Sequence, residues 1–108
     1  SGVAGSSAPS FQGFEVNVAP VEDGVSVELK LGEARKDVKV ELLKGEQTFA
    51  TLHEGPLGAG VYHFEGKVAP GYYVAKVTTD QETPYLEGVI PLSKEGTGTV
   101  SKVKGFGR

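Results

Sequence analysis

The chain has two histidines, His53 and His63, and each has an acid close by, Glu54 and Glu65. Imidazole and carboxylate together can hold a divalent cation or pass a proton in hydrolysis. Cross-strand pairing could bring the two histidines together. No His-x-His or His-x-x-x-His spacing supports that, and solvent-facing strand histidines are the plainer reading. A serine nucleophile needs a base and an acid placed around it. The serines lie in the first ten residues, at Ser26, or at Ser93 and Ser101, and there is no Gly-x-Ser-x-Gly elbow. Gly96-Thr97-Gly98-Thr99 looks like a phosphate loop but lacks the Lys-Ser/Thr that would reach phosphate and Mg²⁺. The expectation is a protein that is not an enzyme, with no catalytic residues, metal or cofactor.

Binding chemistry is better represented. Tyr62, Tyr72 and Tyr85 are candidate contact residues, because Tyr offers an apolar ring and a polar tip at interfaces. The same residue type is also common at half-buried strand positions. A buried Tyr near a strand start can instead tie its hydroxyl to a loop backbone, as in the tyrosine corner of β-sandwiches. Phe14, Phe64 and Tyr73 fall among alternating apolar positions and read as core. With no Trp, a sugar-stacking face is less favoured. After Glu95 the chain has no acid. Lys102, Lys104, Phe106 and Arg108 form a basic stretch that could dock on a partner or add to a neighbour's sheet edge, or simply be a solvated tail.

The elements that must position these residues follow from period-two patterning. Val25, Val27, Leu29 and Leu31 alternate with polar residues, as do Val38, Val40 and Leu42, Phe14, Val16 and Val18, and Tyr73, Ala75 and Val77. Such alternation marks half-buried strands. Looser candidates span 47–54, 60–66 and 83–92, with Pro84 and Pro91 suited to the ends of an edge strand. Residues 31–37 are the one helical candidate, at most a single turn. Lys44-Gly45-Glu46 reads as a hairpin turn, Glu22-Asp23-Gly24 as a turn with a positive φ, and residues 54–60 as a longer loop. Residues 14–20 and 64–70 share Phe-Glu-x-x-Val-Ala-Pro, then diverge at once. A true repeat would continue, so the shared piece reads as a strand stop used twice. In the second copy, Ala69-Pro70-Gly71-Tyr72 has the type II turn pattern.

About seven short strands separated by turns predict an all-β, immunoglobulin-like antiparallel sandwich; a small closed barrel shares the same periodicity. The expected organisation is an N-terminal linker or expression remnant over 1–10, the sandwich over 11–93, and a Gly/Thr-rich basic tail over 94–108. The full length of 108 residues suits one domain, and 16 Gly and 6 Pro fit a chain of many turns. The net charge of −3 gives no bulk attraction to nucleic acid, and no apolar run could span a bilayer as a helix. The absence of Cys excludes disulfides and thiolate sites and fits export in an unfolded state. With no Met and no signal-peptide pattern, the chain reads as processed or excised, so its compartment is not given by its N-terminus.

Residues 38–92 resemble the immunoglobulin-like module of the flagellar hook-cap protein and the C-terminal sorting and adhesion modules of bacterial secreted proteins. The matching marks are Val38, Val40 and Leu42, then Gly45, Thr51-Leu52, Gly55, Gly60 and Pro70-Gly71 followed by Tyr72 and Tyr73. The sequence has Phe64-Glu65-Gly66 where those modules often have Trp-Asp-Gly, and a Gly/Thr stretch separates the last strand from the basic residues. The resemblance implies a sandwich without catalytic residues, in a bacterial extracytoplasmic assembly such as an appendage or cell-surface protein. A protein partner or self-assembly is expected, with no nucleic acid and no membrane span. The alternative is a small-ligand or glycan-binding sandwich using its exposed tyrosines.

Overall fold

A computed structural model describes residues 13–93. The segments assigned above to 1–10 and 94–108 lie outside the described residues. The seven strands are β1 (Phe14–Val21), β2 (Gly24–Leu31), β3 (Arg35–Lys44), β4 (Gln47–Leu57), β5 (Gly60–Lys67), β6 (Tyr73–Thr79) and β7 (Tyr85–Val89). They form a three-stranded sheet, β1-β2-β5, and a four-stranded sheet, β4-β3-β6-β7. All neighbours pair antiparallel. Two open sheets face each other, so the immunoglobulin-like sandwich holds and the closed barrel does not.

The alternating residues make the core. Val25, Val27, Leu29 and Leu31 of β2 face Val38, Val40 and Leu42 of β3 and Tyr73, Ala75 and Val77 of β6, all essentially inaccessible. Burying each Val or Leu side chain stabilises the fold by about 1.5–3 kcal/mol relative to exposure. These three strands are central in their sheets, which explains why their periodicity is cleanest. β1 shows the same alternation at half burial because it is an edge strand.

Several local expectations change. Residues 31–37 contain no helical turn: β2 runs through Leu31, a bend follows, and β3 starts at Arg35. Residues 54–60 are mostly strand, since β4 continues through Gly55 and Pro56 to Leu57. An edge strand tolerates this proline because its missing N–H need not serve a second neighbour. The Val-Ala-Pro device ends only one strand. β5 stops at Lys67, before Val68-Ala69-Pro70, whereas Pro20 lies inside β1, opposite Val25. β1 too is an edge, so its ladder continues past the proline.

The turns are specific. Gly45-Glu46 joins β3 to β4 with φ +67° at Gly45 and Lys44 paired to Gln47. Positive φ at the first turn residue alone matches a type II′ hairpin. In the β1–β2 turn the positive φ belongs to Asp23 at 58°, not to Gly24. Gly24 is needed for another reason: a Cβ there would overlap the Gly66 carbonyl oxygen of β5. Gly71 has φ +151°. Glycine is favoured at that angle, but it is far from the roughly +80° of a type II turn, so the turn type differs from the sequence expectation.

After β7 the chain crosses to the other sheet. Leu92 bridges Glu22 in parallel, its N–H donating to Val21 O at 3.0 Å and its carbonyl accepting from Asp23 N at 2.6 Å. Val68 N donates to Asp23 O at 3.0 Å from the other side. The β1–β2 turn is thereby held between the exits of β5 and β7.

Candidate interaction surface

Cross-strand partners share a face of a sheet. Val89 and Tyr85 pair with the buried Tyr73 and Val77, so they and Glu87 face the core side of β7. Leu86 and Gly88 pair with Lys76 and Val74 and face outward. By the same alternation Tyr72 and Ile90 flank them on the outer side. Leu86 is 58% exposed, Ile90 63% and Tyr72 59%. Val74 and Leu43, paired on the neighbouring strands, are half-buried beside them. The Tyr72 ring lies over Gly88, where an added methyl would stand 2.8 Å from Tyr72 Cζ. The result is an apolar strip along β7 at one margin of the four-stranded sheet.

The sequence-derived tyrosines are not brought together. Tyr72 stands on this strip. Tyr62, at the start of β5, donates its hydroxyl to Gly58 O at 2.9 Å and stacks on Phe64 at 6.4 Å. Tyr85 packs against the core and donates to the Glu87 carboxylate. That hydrogen bond, with burial and the charge of Glu87, pushes the Tyr85 hydroxyl above its ordinary pKa. Lys102, Lys104, Phe106 and Arg108 lie outside the described residues.

Two tyrosines near strand starts tie their hydroxyl to a loop carbonyl four residues upstream, Tyr62 to Gly58 and Tyr73 to Ala69, and the buried one, Tyr73, fits the tyrosine corner; Tyr72 does not. Tyr73 is fully buried at the start of β6, and its hydroxyl donates to Ala69 O at 2.8 Å. Phe49 meets its ring edge-on at 5.4 Å, and Lys44 Nζ lies 5.3 Å from its centroid.

The histidines are separated. His53 Nε2 lies 3.2 Å from Gly55 O, with its ring 5.4 Å from the Phe64 ring on the core side. His63 pairs with Glu28 at 3.0 Å on the outer face of the three-stranded sheet. Among the described residues, no group of three or more His, Cys, Asp or Glu side chains is placed to hold a metal ion. No helix of the described residues is long and apolar enough to cross a membrane.

Sequence reading missed a charged anchor at the opposite end of the sandwich. Arg35, 5% exposed at the start of β3, grips Glu82 through Nε at 2.9 Å and Nη2 at 2.5 Å. Its Nη1 donates to Glu33 O at 2.7 Å. Glu82 also accepts from Thr79 Oγ1. The Arg35 hydrogen bond, aided by Thr79 and outweighing burial, holds the Glu82 carboxyl below its ordinary range. The same hydrogen bond raises Arg35, against the opposing effect of burial. Burial pushes the neighbouring Asp80 up. Its backbone hydrogen bonds, including those from Asp37 and Lys36, and the charge of Arg35 outweigh that and lower it.

No protein-family model matches this sequence, and no curated protein matches it. Among solved structures it is similar to the CARDB domain of a Pyrococcus furiosus protein, crystallised in complex with di-metal ions. The TM-score is 0.43 with 17% identity, over 74% of this chain and 86% of that one.

Proposed function

We propose that this chain is a non-enzymatic structural or protein-interaction module of a bacterial extracytoplasmic assembly, an appendage or a cell-surface protein. The observation that carries the interaction reading is the apolar strip of Leu86, Ile90 and Tyr72 along β7. Exposed apolar side chains gathered on one face mark interaction sites, whereas single scattered ones do not. The bacterial and extracytoplasmic parts rest on the resemblance of residues 38–92 to the hook-cap and sorting modules, and on the absence of Cys.

The glycan-binding alternative needs a platform of free tyrosines. The hydroxyls of Tyr62 and Tyr85 are already committed within the domain, which favours the protein-interaction reading. A photo-crosslinking residue at Tyr72, in the protein expressed in its own cells, tests the proposal. Crosslinks to protein in an envelope or secreted fraction are expected. Cytosolic protein without crosslinks overturns it.

A further inference from the structure

A sandwich of two open sheets has four free edges, and edges are sites of unwanted pairing unless guarded. Among the described residues, three of the four are guarded. β1 carries Pro20 within the strand, exposes Glu15 and Asn17, and has its end covered by Leu92. β4 is broken by three register irregularities against β3 and contains Pro56. β5 presents His63, Glu65 and Lys67 outward. β7 pairs with β6 without irregularity, and its outward positions are Leu86 and Gly88, continued by Ile90. Its single charge, Glu87, is on the core side and bonded to Tyr85. Its prolines, Pro84 and Pro91, stand just outside the strand and leave the N–H groups of β7 itself intact.

We propose that β7 is a strand-addition edge whose occupant is β7 of a second copy, paired antiparallel about a two-fold axis at Gly88. This inference rests on the interaction reading above and names the partner. The register argument is specific. Antiparallel pairing centred on residue 88 sets Leu86 opposite Ile90 of the copy and Ile90 opposite its Leu86. Both apolar side chains thus meet apolar partners on one face, as an isologous contact requires. Gly88 meets Gly88 at the axis, each beneath its own Tyr72 ring. Glu87 falls opposite Val89, on the other face. The pairing joins two four-stranded sheets into one of eight and sets the apolar strips of both copies side by side on one face.

Sedimentation of the purified chain over a concentration series tests this. The wild type is expected to shift from monomer to dimer as concentration rises. Leu86→Lys and Ile90→Glu are exposed changes, and circular dichroism checks that each variant folds. By symmetry each removes two apolar pairs, so each should weaken association about tenfold or more. Mixing the two variants should restore a heterodimer. The lysine introduced in one copy then faces the glutamate introduced in the other, while the second Ile90–Leu86 pair survives. A wild type that stays monomeric to about 1 mM, or a Leu86→Lys variant that dimerises like wild type, overturns the two-fold pairing. In that event, crosslinks from Tyr72 to a different protein in cells would leave the broader interaction reading standing, so the two failures are distinguishable.

Discussion

Tyr72 and Tyr73 are adjacent and do opposite work. Tyr73 is buried, with its hydroxyl anchoring Ala69 O across the β5–β6 corner, while Tyr72 is mostly exposed and lies over Gly88. Removing only the hydroxyl separates the two roles. Tyr73→Phe should cost about 1 kcal/mol in denaturant unfolding, the net worth of one hydrogen bond, while Tyr72→Phe should leave stability within error. The Arg35–Glu82 pair makes a pH prediction. Glu82 is depressed below its ordinary 4.5 in the folded chain, so its contribution is fully present above that value and is lost as pH falls through the lower folded pKa. Urea midpoints should therefore drop in acid, and Glu82→Gln should flatten that part of the profile while lowering the plateau at neutral pH. An unchanged profile in the variant would show that the pair does not contribute.

At the level of elements, β4 shows how a strand can hide from period-two reading. Two of its three register irregularities against β3 leave an extra residue on β4 itself, Leu52 and Phe49. At these bulges two apolar side chains meet the domain: Phe49, half exposed, touches the buried Tyr73 ring edge-on, and Leu52 packs over Gly66. The sequence pattern at 47–54 is loose for that reason. Glycine roles can be tested by comparison. Gly24→Ala forces a methyl onto the Gly66 carbonyl and should cost about 2 kcal/mol or more, whereas Gly58→Ala, with open space around it, should be close to neutral by thermal unfolding. The central strands β2, β3 and β6 are legible in the sequence because full burial on one face imposes strict alternation. The site is only partly legible. Tyr72 stands out as an aromatic, but Leu86 and Ile90 gain their meaning from the edge position of β7, a tertiary fact. Arg35 and Glu82 are 47 residues apart, and nothing local links them.

Across the described residues, β1 begins at one end of the sandwich, where Gly32 N donates to Gly13 O, and Leu92 joins the β1–β2 turn at the other. The two ends are separated by the length of β1, about 26 Å at the usual rise per residue. Leu92→Pro removes the N–H that Val21 O accepts and should cost about 1 kcal/mol, with faster amide exchange at Asp23 as the local readout. The same bridge has a mechanical meaning. Leu92 runs parallel to the end of β1, so a pull that draws residues 13 and 93 apart slides the two segments past each other. The two hydrogen bonds at Leu92 then bear the load together, in shear, and cannot be peeled one at a time. A module strung between neighbours in a tensed filament would yield there only after both bonds gave way at once.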